Sequence, residues 1–198
     1  VIQFVFFVAL SRAYGAGPLG EYGFAMAITG VIWCISNFGL FELSIREIKR
    51  QQQNFRRYAG SVILLRLLLG IVAFGIAVLV AVLFPMDRRI ALLIVLLGAF
   101  QIMEGLVAGI AAVAIAQGES HVLSAVEISQ RFFTAVVGTI IILLGAPIEL
   151  AVGVLPVIAG IHVFVCYRVV QRKYGPLPLR FSIEFARRKL KAATPFAL

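Results

Sequence analysis

Residues 60–84 read GSVILLRLLLGIVAFGIAVLVAVLF, a run in which Arg66 is the single charge. An α-helix rises 1.5 Å per residue, so about 20 apolar residues cross a hydrocarbon layer roughly 30 Å thick. The run has that length and shows no polar–apolar alternation, which excludes a membrane β-strand. A helix satisfies all its backbone groups internally, as lipid demands. The run therefore predicts a transmembrane helix.

The same pattern repeats on both sides of it. Spans are predicted over 1–11 (partial), 23–43, 60–84, 90–116, 122–144 and 149–171. They are punctuated by Gly17-Pro18, Pro85-Met86-Asp87, Gln117-Gly118-Glu119-Ser120, Gly145-Ala146-Pro147 and Gly175-Pro176. The fold class is all-α: a polytopic transmembrane helical bundle of about six spans. Composition agrees, with 62% hydrophobic and 14% charged residues and a mean hydropathy of +1.03. Soluble chains average about 45–50% apolar and about 25% charged. A 198-residue chain this poor in charge cannot cover a globular surface, so the phospholipid bilayer is its first partner.

The net charge of +9 points to no nucleic acid, because the positives cluster in two short segments between apolar runs. Arg46, Lys49, Arg50, Arg56 and Arg57 follow the second span. Arg168, Arg172, Lys173, Arg180, Arg187, Arg188, Lys189 and Lys191 follow the sixth. The connections after the first, third and fifth spans hold only Arg12, Arg88 and Arg89. The positive-inside rule makes the basic side cytoplasmic and places the N-terminus on that side. Past Pro176 and Pro178, Ser182 can cap an amphipathic helix carrying Ile183, Ala186, Leu190 and Ala193 on one face. Residues 175–192 are thus expected to form a cytoplasmic amphipathic connector, either lying on an anionic leaflet or acting as a basic linker. The chain opens inside an apolar run, and Thr194-Pro195-Phe196 resembles a helix entry. Residues 193–198 are read as the start of a seventh span, so both ends are expected to lie inside a longer protein.

Ionisable groups within spans are costly and face a bundle interior or a watery cavity by default. Four stand out: Arg66, Glu104, Glu127 and Arg131. From the helical rise, Arg66 lies roughly 10 Å in from the cytoplasmic end of its span, and Glu127 and Arg131 roughly 8 and 14 Å in. Glu104 falls near the midplane. All four can line one cavity of the cytoplasmic half. Glu127 and Arg131 stand four apart with the acid first, the favourable order for an intrahelical pair, so they can equally neutralise each other as packing elements. Arg66 can snorkel to the interface or meet an anion. Glu104 has to be protonated, paired, or set in a polar cavity.

Gly105 and Gly109 form a GxxxG that favours close helix approach. Asn37, Gln101 and His162 read as interhelical hydrogen-bonding groups. His162 has no second ligand nearby and the two cysteines, Cys34 and Cys166, sit isolated in apolar runs, so no metal site is expected. No phosphate-binding loop or nucleophile motif occurs, no loop is large enough for a catalytic domain, and no enzymatic activity or cofactor is expected.

With these residues in hand, a family likeness can be stated. The stretch from Ser11 onward carries Arg12, Gly17-Pro18, Gly20 with Tyr22, Asn37-Phe38-Gly39-Leu40 and Arg46 in order. It resembles the start of the polysaccharide flippases, the Wzx-like branch of the MOP or MATE-like exporter superfamily. Arg66 and the closing Ala193-Thr194-Pro195-Phe196 fit the same succession. The resemblance implies one lobe of a two-lobed MATE-like transporter in the plasma membrane of a bacterium or archaeon. It implies flipping of a polyprenyl-pyrophosphate-linked oligosaccharide to the outer leaflet for lipopolysaccharide or other polysaccharide biosynthesis. Alternating access would drive this, coupled to an H+ or Na+ gradient. Arg66 and Arg131 would then face the anionic group of the substrate, and Glu104 or Glu127 would serve cation coupling. Polymerase and glycosyltransferase machinery are the implied protein partners. Alternatives are a MATE-type drug or small-molecule cation antiporter, a lipid-peptidoglycan flippase, and a membrane-embedded polysaccharide polymerase or ligase. The last usually needs a large outer loop, and the outer connections here are short. A purely structural scaffold leaves Glu104 unexplained.

Overall fold

A computed structural model of the chain describes residues 2–37, 40–50, 55–175 and 178. Among them it is all-helical: α1 (Ile2–Tyr14), α2 (Ala16–Asn37), α3 (Leu40–Arg50), α4 (Phe55–Leu83), α5 (Arg88–Ala116), α6 (Ser120–Leu143) and α7 (Ile148–Tyr174). The helices α4, α5 and α7 are long and apolar enough to cross a membrane. The expected connector over 175–192, save residues 175 and 178, and the seventh-span entry over 193–198 lie outside the described residues.

Five of the six expected apolar runs coincide with helices whose limits lie within about five residues of those expected, while the second differs. The turn expected at Gly17-Pro18 is the first turn of α2. Proline is at home there, because the first amides of a helix have no partner within it. The far end of the expected 23–43 span belongs to the separate helix α3. Leu40, Leu43, Ser44 and Ile48 of α3 are buried, whereas Glu42, Arg46, Lys49 and Arg50 are exposed. A helix polar along one side cannot continue a span through hydrocarbon.

The turns follow from local chemistry. Gly118 and Gly145 take φ of 85° and 73°, a region that side chains disfavour. Their left-handed conformation lets Glu119 N–H reach the Ala114 carbonyl at 2.9 Å and Ala146 N–H reach Ile141 at 3.3 Å, closing α5 and α6.

Helix α5 is the hub, packing against α2, α3, α4, α6 and α7. Its glycines let α4 come close: a Cβ on Gly98 would meet the Phe74 ring at 3.2 Å. Helix α1 packs chiefly on α6, where the Phe6 ring occupies the space over Gly138. Two large apolar cores result, with a small third around Leu40, Leu43 and Leu65. One, around Phe6, Leu10, Leu93, Ile94 and Val152, lies at the end carrying the α1–α2, α4–α5 and α6–α7 turns. The other, around Ile48, Ile63, Ile110, Val113 and Cys166, lies at the end carrying α3 and the α5–α6 turn. The outside is apolar too, with Val72, Leu79 and Val82 of α4 and Ile161 and Phe164 of α7 exposed. An apolar belt of this extent belongs in lipid.

The two ends are pinned by polar contacts. At the first, Arg89 Nε donates to Glu149 at 2.6 Å, its Nη1 lies 3.7 Å from Glu21, and the Tyr14 hydroxyl donates to the Ala146 carbonyl at 2.5 Å. At the second, Lys173 pairs with Glu119, and the Tyr58 hydroxyl donates to Glu47.

Candidate functional site

Between the two apolar cores, α5 carries polar groups on both sides, and each side faces its own cavity. The smaller holds about 30 Å³ and is lined by Trp33 and Asn37 of α2, Arg66 of α4, and Gln101 and Gly105 of α5. The larger holds about 310 Å³ and lies between α2, α5, α6 and α7. Trp33 and Asn37 line both, so the end of α2 is the wall they share.

Arg66 is buried, with 6% of its surface exposed. Its Nη1 donates to the Gly105 carbonyl at 3.3 Å and its guanidinium lies 5.9 Å from the Phe41 ring centre. The fit over α5 depends on Gly109, where a Cβ would stand 2.8 Å from Arg66 Cδ. The GxxxG brings α4 close, with Ile63 Cα 3.8 Å from a Cβ at Gly109, and it also accommodates a side chain: Gly105 supplies the acceptor and Gly109 the space. Arg66 Nε and Nη2 and Asn37 Oδ1 are buried without hydrogen-bond partners. A cavity of about 30 Å³ can hold water, whose minimum is about 10–15 Å³, but not a pyrophosphate.

Glu104 projects to the other side of α5 and accepts a hydrogen bond from Gln130 Nε2 of α6. Glu42, Glu127, Ser124 and His162 share this larger cavity. His162 is buried and its Nε2 has no partner. Glu127 pairs with Arg131 at 3.2 Å, with both side chains more than half exposed on α6. The lining lies in the half of the bundle nearer α3 and the α5–α6 turn. At the other half α1 packs against both α6 and α2.

The four residues expected to line one cavity are thus distributed. Glu104 and Glu127 share the larger space, Arg66 belongs to the smaller, and Arg131 touches the site through Glu127. The intrahelical pair forms as expected, on an exposed face and not as buried packing. Asn37 and His162, expected to bond between helices, leave Oδ1 and Nε2 unpartnered. Cys34 is exposed on α2, while Cys166 is buried as expected. Reading charges alone missed Gln130, Glu42 and Trp33. Gln130 could have been found, because Glu127, Gln130 and Thr134 follow one another at helical spacing on one side of α6, and Gln130 and Thr134 are buried.

A buried polar layer in a bundle with a lipid-facing exterior is the arrangement of a membrane protein that handles a polar substrate. The family model for polysaccharide biosynthesis proteins matches residues 1–198. The chain belongs to that family. It is a family of Wzx-like polysaccharide flippases of the MOP exporters, most of whose members are transporters. No curated protein and no solved structure matches the chain significantly.

Proposed function

We propose that this chain is one lobe of a flippase that moves a polyprenyl-pyrophosphate-linked oligosaccharide from the inner to the outer leaflet by alternating access. The observation that carries the reading is the larger cavity, whose wall brings Glu42, Glu104, Glu127 and Gln130 together in the half of the bundle that bears most of the basic residues. In this reading α1, α2 and α6 join α4, α5 and α7 to make six spans. The basic end is cytoplasmic, and the cavity is turned toward a second lobe.

The residues divide the work. Arg131 and the exposed basic residues Arg46 and Arg50 attract the pyrophosphate on the cytoplasmic side, through charge-assisted hydrogen bonds. Arg66 receives an anionic oxygen only when Phe41 and Asn37 move, since its present cavity is too small. Glu104 and Glu127 are the carboxylates available for exchange of a coupling cation, H+ or Na+.

The test is polymer export in the host, with Arg66→Ala and Arg131→Ala tested singly at normal membrane levels. A loss of about tenfold or more in exported polymer for each is expected. Export at the unmodified level in both variants refutes the assignment of these cations to the substrate path.

A further inference from the structure

The outward face of α7 changes character along its length. Val157, Ile161 and Phe164 are exposed, and at steps of four and three residues they form one stripe of the apolar belt. The same spacing continues through Arg168 and Arg172, and both are exposed. Four residues apart, these two stand about 6 Å from each other along the helix axis. The Arg168 guanidinium lies 4.9 Å from the centre of the Phe164 ring, so its charge is laid back along the apolar stripe. Arg56, at the start of α4, comes to the same end of α7: a Cβ on Gly175 would meet its guanidinium at 3.3 Å.

Other cations at the helix ends have carboxylate partners. Lys173, the next residue along, pairs with Glu119. At the opposite end Arg89 is held by Glu149 and Glu21. Among the described residues neither Arg168 nor Arg172 forms an ion pair. The sequence beyond, 176–198, holds five basic residues against the single carboxylate of Glu184, so it adds positive charge. An arginine on a lipid-facing surface extends its head to the interface, where headgroup phosphates lie. Guanidinium groups bind phosphate through paired, charge-assisted donors. The charge balance decides which lipid is favoured. A headgroup with its own ammonium brings a further cation to the two arginines, and an anionic headgroup does not.

We propose that this end of α7 binds an anionic phospholipid, with the phosphate held by Arg168 and Arg172 and an acyl chain laid along Phe164, Ile161 and Val157. Arg56 adds positive charge from the α4 side. The occupant is a lipid of the surrounding bilayer and not the transported molecule. The stripe belongs to the outer apolar belt, whereas the larger cavity meets α7 on its opposite side, at the buried His162 and Cys166. The inference goes beyond the flippase reading and holds whatever the protein carries.

The purified chain in a neutral detergent is titrated with phosphatidylglycerol, phosphatidylcholine and phosphatidylethanolamine, and bound lipid is counted by native mass spectrometry. A basic residue near an anionic surface contributes roughly fivefold, so phosphatidylglycerol should bind at a midpoint about tenfold or more below either zwitterionic lipid. Arg168→Gln with Arg172→Gln should bring that preference below about threefold. Arg168→Lys with Arg172→Lys should keep most of it. Lys49→Gln with Arg57→Gln makes the same change of net charge at other exposed positions and should leave the preference intact. In the unmodified chain, a phosphatidylglycerol with a photoreactive acyl chain should label α7 between Val157 and Arg168, which locates the site even if the glutamine variant fails to fold. Absence of a preference, an equal drop in the two glutamine variants, or labelling confined to other helices overturns the proposal. Farnesyl diphosphate displacing the lipid at a lower concentration than phosphatidylglycerol itself overturns it too, in favour of the transported carrier as the occupant.

Discussion

The two sides of α5 carry opposite charges and treat them in opposite ways. On the α4 side Arg66 is enclosed, with a glycine beneath its side chain, a carbonyl at 3.3 Å and a cavity of about 30 Å³. On the α6 side Glu104 looks into a space ten times larger and is held by one amide. The difference comes from what separates the neighbouring helices. Helix α2 packs on both α4 and α5, which keeps the first side closed. On the second side α1 packs on α2 and α6 in the half away from the cavity. A buried charge is tolerated either by tight enclosure with partial satisfaction or by access to a polar space. This chain uses both solutions within one turn of the same helix.

The largest effect should come from filling the enclosed side. Gly109→Leu drives a branched side chain into the volume of Arg66 Cδ, now 2.8 Å from an added Cβ. Overpacking of a rigid site costs about 1–3 kcal/mol, and here it also removes the guanidinium from the Gly105 carbonyl. A loss near the top of that range, about 3 kcal/mol, is expected in thermal unfolding of the detergent-solubilised chain. Gly105→Leu is the sharpening control, because nothing lies within 4 Å of a Cβ at Gly105. Equal losses at the two glycines would show that Arg66 is not enclosed as described.

The open side should respond less. Gln130→Leu removes the amide that donates to Glu104 and leaves the carboxylate without it. Losing a partner from a buried acceptor costs about 1–3 kcal/mol, and the open cavity lets water recover part of it, so a value of about 1.5 kcal/mol is expected. In a Glu104→Leu background the same substitution should cost about 1 kcal/mol less, because no carboxylate is left to satisfy. Additive losses in that double-mutant cycle would mean that Gln130 stabilises α6 by another route.

How much of this was legible in the sequence depends on the length of the pattern that carries it. The long helices were, because 20 or more apolar residues admit one solution in lipid. The pair Glu127–Arg131 was legible too, being set by helical spacing within α6. The division at Asn37–Leu40 was harder, since Leu40 and Leu43 continue the apolar run and only the spacing of Glu42, Arg46 and Lys49 marks a new helix. The separation of Arg66 from Glu104 was not legible. It depends on the rotation of α5 against α4 and α6, and a depth estimate along each span carries no rotation. For the same reason Gly109 was legible as a helix contact, which Ile63 Cα of α4 makes, but not as the space beneath the Arg66 side chain.

The smallest effect tests how α1 is held at the end away from the cavity. Tyr14, at the end of α1 and beyond its apolar run, donates its hydroxyl proton to the Ala146 carbonyl in the α6–α7 turn. Tyr14→Phe removes that bond and little else, so a loss of about 1 kcal/mol is expected in thermal unfolding. Burial, and then the negative charge of Glu149, hold the Tyr14 pKa above its ordinary value. A raised value means that the folded state favours the protonated phenol, so the contribution is complete below about pH 10, the ordinary tyrosine value. It fades as pH rises through the raised value, where the phenolate has no proton to donate. The gap in Tm between the unmodified chain and the Tyr14→Phe variant should therefore be constant from neutral pH to about 10 and shrink above it. If the gap is absent at neutral pH, the Tyr14–Ala146 contact does not hold α1 against the α6–α7 turn. The closure of that end then rests on Phe6 over Gly138 and the surrounding apolar core alone.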